Sequence, residues 1–207
     1  MTSVTVLDHP LLAHKLTRIR DRDTATPEFR SLLVETAMIA VEATRHFPVV
    51  EIEVATPLAK MKGIRLDGPS PVLISILRAG TALLDGFLRI VPDADVGYIG
   101  LYRDEETLQA HEYLLRLPDL TGRDVVIVDP MLATGHTSVA ALDRITESVP
   151  RSILFAYLVA APKGISELHS HHPQVPIVTA SLDSHLDEIG YIVPGLGDAG
   201  DRLYGTT

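Results

Sequence analysis

Four runs of apolar residues decide most of what this chain can become: "PVLISIL" at 71 to 77, "VGYIGLY" at 96 to 102, "DVVIVDP" at 124 to 130 and "SILFAYLVAAP" at 152 to 162. None alternates apolar with polar, so each reads as a strand covered on both faces. Helical stretches separate them, "TALLDGFLRI" at 81 to 90, "TGHTSVAALDRI" at 134 to 145 and "KGISELHS" at 163 to 170. Strand alternating with helix calls for a parallel sheet, because a crossover helix returns the chain to the same end of the sheet. The fold class is therefore α/β, a mostly parallel central sheet flanked by helices. Ligands of such sheets bind at the carboxyl ends of the strands.

The first third fits around that sheet. Thr26 as N-cap, Pro27 at the first position and Glu28 in the first turn start a helix, and Phe29, Leu32, Leu33, Met38, Ile39 and Val41 carry its apolar spacing through to Thr44. A shorter helix is predicted over Leu11 to Arg20, and "VVEIEVAT" alternates as a half-exposed strand. With 207 residues and no Ser/Gly or Pro-rich linker, residues 1–207 are expected to form one domain.

Composition narrows the function. The absence of cysteine removes disulfides, thiolate nucleophiles and Cys-ligated zinc, and is compatible with a reducing cytosol. The start, "MTSVTVLDHPLLAHK", lacks a basic segment followed by an apolar one, and no run approaches the roughly 18 apolar residues of a membrane span. A cytoplasmic protein without a membrane partner is expected. A net charge of −9 argues against nucleic acid as a partner, because neutralising phosphates needs a basic face.

Three segments stand directly after strands. Arg78-Ala79-Gly80 comes after "LISIL", Arg103-Asp104-Glu105-Glu106-Thr107 after "GYIGLY", and Asp129-Pro130-Met131-Leu132-Ala133-Thr134-Gly135-His136-Thr137-Ser138 after "VVIV". Two arginines and a hydroxyl-rich turn entering a helix suit a polyphosphate: guanidinium forks, free N–H groups and the positive end of a helix dipole. No G-x-x-x-x-G-K-[ST] is present, so an ATP-splitting P-loop is excluded. Gly195, Gly197 and Gly200 spell G-x-G-x-x-G, but that dinucleotide fingerprint needs a helix and an acidic residue about 20 positions further on. Only "DRLYGTT" comes after Gly200, so neither a helix nor a second strand is expected there.

"VIVDPMLATGHTS" resembles the phosphoribosyl-pyrophosphate (PRPP) loop of type I phosphoribosyltransferases, and "DPMLATG" is similar to the version in uracil phosphoribosyltransferases. "HPLLAHKLTRIRD", "ILRAG", "YRDEET", "LVAAP" and "GYIVPGLGDAGDRLYGT" occur in that family's order and spacing, so the resemblance covers essentially the whole chain. It implies the type I phosphoribosyltransferase fold, with a small hood contributed by the C-terminal segment. It also implies the conversion of uracil and PRPP to UMP and diphosphate in pyrimidine salvage, with Mg2+ as cofactor. The partners it implies are uracil, PRPP, a GTP activator as in some members, and a second copy of the chain in a homodimer or higher homo-oligomer.

Carried onto this sequence, the resemblance makes Arg78, Arg103 and Asp129 catalytic. Arg78 and Arg103 would bind the leaving diphosphate, with a cis non-proline peptide in the Arg78 loop, and Asp129 would contact the ribose hydroxyls or metal-bound waters. Pro130, Met131, Leu132, Ala133, Thr134, Gly135, His136 and Thr137 would line PRPP, with Ala133 to Thr137 around the 5-phosphate. Ile192, Gly197, Asp198 and Ala199 would surround uracil, and Asp198 would also reach toward PRPP. Many related enzymes carry two adjacent acids where this chain has Asp129-Pro130, so no protein metal cage is implied and Mg2+ would arrive bound to PRPP.

His136 departs from the glycine common in the family's loop, and is read as pointing to solvent. "His169-Ser170-His171-His172" reads as an exposed helix end and "Asp183-Ser184-His185-Leu186-Asp187-Glu188" as a solvated loop, not as metal sites. Two other classes of function compete with the enzyme: an RNA-binding regulator on the same fold, which the net charge disfavours, and a non-catalytic nucleotide sensor altered at His136.

Overall fold

The computed structural model describes residues 4–103 and 110–206, and the side chains of all of these but 102, 103, 110 and 111. The chain opens with β1 (Val4–Val6), α1 (Pro10–Arg20), α2 (Thr26–Glu35), a 3-10 turn (Thr36–Met38) and α3 (Ile39–Ala43). A hairpin of β2 (Val49–Ala55) and β3 (Lys60–Leu66) is next. Then come β4 (Val72–Leu77), α4 (Gly80–Ile90), β5 (Asp95–Arg103), β6 (Ala110–Arg116), β7 (Asp124–Leu132), α5 (His136–Thr146), β8 (Ser152–Ala160), α6 (Pro162–His171) and β9 (Ile177–Leu182). Two short strands, β10 (His185–Leu186) and β11 (Ile192–Val193), and the helix α7 (Ala199–Tyr204) close the chain.

Seven strands form the main sheet in the order β1-β9-β8-β7-β4-β5-β6. All neighbours run parallel except β6, which lies antiparallel to β5 at one edge. The apolar runs are continuous because alternate residues enter two different cores. Leu73, Val126, Val128 and Leu158 pack with α1 to α4 and α7, whereas Ile74, Val125, Ile127 and Phe155 pack with α5 and α6. Each strand thus buries both its odd and even positions.

Two local expectations are corrected. Helix α2 begins at Thr26 itself, with Ala25 as cap and no side-chain cap bond. Pro27 suits any place in a first turn, where its missing N–H is unneeded, so it does not discriminate between the two starts. The helix expected through to Thr44 breaks at the 3-10 turn, where the buried Thr36 hydroxyl donates to the Leu33 carbonyl at 2.7 Å. "VVEIEVAT" forms the expected half-exposed strand, β2, outside the main sheet: among the described residues β2 pairs only with β3, Val50 and Ile52 are half-buried, and Val49, Val54, Met61, Ile64 and Leu66 stay exposed. The alternation belongs to a ribbon with no buried face, since period 2 alone does not tell which sheet a strand joins.

Candidate active site

From β4 the chain runs outward to β5 and β6, then crosses back to β7 on the other side of β4 and continues outward to β8 and β9. The order reverses between β4 and β7, and a reversal of this kind opens a crevice at the carboxyl ends of the two strands. The loop leaving β4 and the turn leaving β7 therefore face each other. The Leu77–Arg78 peptide bond is cis, and Arg78 is exposed at the crevice. Gly80, which opens α4, lies so close to β7 that an added Cβ would sit 2.6 Å from the Val128 carbonyl oxygen. No other residue could start the helix there without moving a strand.

Asp129, half-buried near the end of β7, has one weak partner, the Met131 N–H at 3.4 Å from Oδ1. Burial pushes its pKa up to about 7, against a small opposing effect of that N–H. The turn after β7 ends at Gly135, whose φ of 89° caps α5 without any side-chain bond. Residues 136–138 then form the first turn of a helix with no acidic residue in it, an uncapped end suited to an anion. His136 is exposed, with Nε2 3.9 Å from Glu167, in accord with the solvent-facing reading.

The C-terminal segment reaches the same crevice. β10 and β11 pair antiparallel, and an added Cβ on Gly190, in their connection, would meet Thr134 of the turn after β7 at 3.8 Å. Ile192 and Ala199 are buried, Gly197 is exposed and Asp198 is half-buried. Around Gly200, an added Cβ would stand 3.2 Å from Asp198 Oδ1 and 3.8 Å from Arg78 Nη2, so the tail and the Arg78 loop border one space. This hairpin and α7 form the small hood.

The tail does carry a helix after its glycines, contrary to expectation: α7, capped by Asp198, whose Oδ1 accepts the Asp201 N–H at 2.9 Å. A six-residue helix needs only Ala199 and Gly200 and the first four residues of "DRLYGTT", a stretch too short only for a dinucleotide unit. The run beginning at Asp183 is not a solvated loop throughout. Asp183 is buried, accepts both Arg20 Nη atoms at 2.6 and 2.7 Å, and accepts the Gly195 N–H at 2.9 Å. Hydrophilic spelling hid a carboxylate whose partners come from distant segments.

The histidine cluster is also less exposed than expected. His171 is exposed, but His172 is buried with Nε2 2.9 Å from Asp143, and His169 bonds the Val175 carbonyl at 3.1 Å. Among the described residues no three His, Asp or Glu side chains group to hold a metal. Likewise, no helix among them is long and apolar enough to cross a membrane. Arg103 ends β5 next to β4, and its side chain, like residues 104–109, lies outside the described set.

Sequence reasoning missed the residues that hold the tail. Arg202 donates to the carbonyls of Ile19, Leu196 and Asp21 at 2.6 to 2.7 Å and lies 4.4 Å above the Phe29 ring. Arg30 donates to the Leu203 carbonyl at 2.7 Å. Tyr204 and Thr81 meet at the Arg78 carbonyl. No local pattern marks the pairs of Arg202 with Ile19, Arg30 with Leu203 and Tyr204 with Arg78, each more than 100 positions apart.

A model of the uracil phosphoribosyltransferase family matches residues 6–206. A uracil phosphoribosyltransferase of Rhodococcus jostii (strain RHA1) is 54% identical over 208 residues, 100% of both chains. That of Legionella pneumophila (strain Lens) is 54% identical over 98% of this chain and 96% of its own. Among solved structures, the AQ2163 protein from Aquifex aeolicus superimposes with a TM-score of 0.93 at 40% identity over 99% of both chains. A hypoxanthine phosphoribosyltransferase from Trypanosoma cruzi shares the fold alone, with a TM-score of 0.51 at 16% identity over 78% of this chain and 76% of its own.

Proposed function

The chain belongs to the uracil phosphoribosyltransferase family, and from that premise we propose that the β4/β7 crevice converts uracil and PRPP to UMP and diphosphate. N1 of uracil bonds to C1′ of PRPP as the C1′–O bond breaks, the bonding pair leaves with diphosphate, and the N1 proton passes to the diphosphate or to solvent. The observation that carries this reading is the meeting of three segments at one switch point: the Arg78 loop, the turn from Asp129 to Thr137, and the glycine tail.

The assignments rest on chemistry. Arg78 and Arg103 bind the departing diphosphate, which gains charge as the C1′–O bond breaks. The backbone from Ala133 to Thr137 at the uncapped α5 start takes the 5-phosphate, and Asp129, Pro130, Met131 and Leu132 line the ribose side. Ile192, Gly197, Asp198 and Ala199 surround uracil, backbone groups reading its O2, N3–H and O4 edge. Cytosine would leave such groups unpaired. Alignment of N1 with C1′ and stabilisation of the anion supply the rate, so a strong nucleophile is not needed.

When bound, Mg2+ supplies positive charge to the PRPP oxygens. A lone, half-buried Asp129 with one weak contact suits a cation that arrives with the substrate rather than a cage of side chains. The β2–β3 ribbon supports a homodimer. Two strands alone are marginal in water, and exposed Leu58, Ile64, Met61 and Val49 along the ribbon give a second copy an apolar surface to cover. GTP activation and a cytoplasmic setting rest on the family resemblance.

The test is turnover of uracil, PRPP and Mg2+ by the full chain, following UMP and diphosphate, with and without GTP. Folded protein that forms no UMP above background would overturn the reading in favour of a nucleotide sensor.

A further inference from the structure

We propose that Tyr204 is a positioning residue for the diphosphate subsite, with α7 acting as a strut that ties the Arg78 loop to the base-side tail. The inference rests on the assignment of that loop to diphosphate.

Helix α7 starts where Asp198 caps it and ends at Gly205, in the left-handed region with φ 69°, where the Gly205 N–H closes on the Asp201 carbonyl at 2.7 Å. Its six residues span roughly 9 Å, enough to join two subsites. At the far end the Tyr204 hydroxyl lies 3.2 Å from the Arg78 carbonyl oxygen, which Thr81 Oγ1 also approaches at 2.9 Å. The two hydroxyls are in contact with each other. One hydroxyl hydrogen can therefore go to the carbonyl and the other to the neighbouring hydroxyl, closing a small ring around the backbone of Arg78.

The same helix also addresses the side chain of Arg78. Its guanidinium lies 5.8 Å from the Tyr204 ring centre and 3.8 Å from Asp201 Oδ1, an oxygen that also accepts the Thr206 hydroxyl at 2.8 Å. Arg78 is 58% exposed and Asp201 44%, and their separation is beyond hydrogen-bond length, so this pair is weak. The two ends of Arg78 are thus held differently. The guanidinium is free to leave Asp201 for an anion, while its carbonyl stays held by the linked pair of hydroxyls. Because α7 is itself fixed, by Arg30 on Leu203 and by Arg202 on Leu196, the fixation is transmitted from the tail.

The experiment uses the full-length enzyme with Tyr204→Phe, which keeps the ring and removes only the hydroxyl. The expected result is a rise of about 2- to 10-fold in KM for PRPP and, in the reverse direction, for diphosphate, the size of one lost neutral hydrogen bond. KM for uracil and the melting temperature stay at their wild-type values. Thr81→Ala shifts the same two constants, and the double variant falls short of the product of the single effects because both hydroxyls serve one carbonyl. Unchanged constants in Tyr204→Phe, or a rise for uracil as well with a lowered melting temperature, would overturn the proposal. Arg78→Ala separates the inference from its premise. Should that variant bind PRPP and diphosphate normally, the loop assignment itself is wrong; should it lose them while Tyr204→Phe does not, only the role of Tyr204 falls.

Discussion

Arg20 and Asp183 form a bidentate ion pair with N···O distances of 2.6 and 2.7 Å, and between them they bind both backbone polar groups of Gly195. The Asp183 side chain is 2% exposed and that of Arg20 22%. Arg20→Ala leaves a buried carboxylate unpaired, which costs about 3–5 kcal/mol. In a chain of this length that lowers the melting temperature by roughly 6–20 °C. Arg20→Lys keeps the charge but cannot fork to Asp183 and Gly195 together. It is expected to recover part of the stability while KM for uracil stays raised, because Gly195 leads directly into the turn proposed to read the base. Thermal melts and steady-state kinetics on the two variants check this.

Two carboxylates, the buried Asp183 and the half-buried Asp129, should give opposite pH responses. Burial opposes ionisation of Asp183, but hydrogen bonds from Arg20, Ser181 and the Gly195 N–H outweigh it and hold its pKa below the ordinary value. Its stabilisation is present above the unfolded pKa near 4 and is lost as pH falls through the lower folded value. Asp129 behaves in the opposite sense, since burial raises its pKa to about 7. Between pH 4 and 7 the unfolded chain binds fewer protons at this group than the folded one, so stability falls as pH rises. The loss reaches about 4 kcal/mol and levels off roughly one unit above the folded pKa. Asp129→Asn should therefore unfold at higher urea than wild type at pH 8 and show no such gain at pH 4, while losing activity. A gain of equal size at both pH values would refute the assignment.

The residues that choose the fold are legible in the sequence because their signal is local. In "VVIV", Val126 and Val128 enter one core and Val125 and Ile127 the other, and only a strand covered on both faces needs such a run. The switch point is legible in turn, because strand ends can be read once strands can. Arg78, Asp129 and Gly135 therefore come out of the sequence with their neighbourhood. Asp183 does not. Its partners Arg20 and Ser181 lie on α1 and β9, and a polar run in a single sequence looks the same whether its carboxylate is solvated or bound. α7 escapes for a different reason: the glycine pattern suggests a comparison with a long helix, and a short one, capped by Asp198 and ended by Gly205, needs only six residues.

Gly135 is the position in the turn proposed to hold phosphate where a side chain should be least tolerated. At φ 89° any L-residue is disfavoured, and a Cβ there would stand 2.8 Å from both the Gly164 carbonyl oxygen and Glu167 Cβ. Gly135→Ala is expected to cost at least about 1–2 kcal/mol of local conformational energy and to raise KM for PRPP while leaving KM for uracil. The adjacent His136→Ala removes only an exposed side chain 3.9 Å from Glu167, and should leave both constants unchanged. A PRPP constant that moves with His136 and not with Gly135 would mean that the loop holds phosphate by side chains rather than by backbone.

Asp198 has two tasks that one substitution confuses and two substitutions separate. Its Oδ1 accepts the Asp201 N–H at 2.9 Å and so caps α7, and its place beside Gly200 and Arg78 suits the role proposed for it between uracil and PRPP. Asp198→Ala removes the cap, at about 1 kcal/mol, together with the charge; the loss of uracil turnover would come with a small fall in melting temperature. Asn caps a helix as well as Asp, so Asp198→Asn should melt like wild type and still lose most of its turnover if the carboxylate itself is required. Wild-type turnover in Asp198→Asn would show that the residue acts only through the cap, and the base-side role would then pass to the backbone of Gly197 and Ala199.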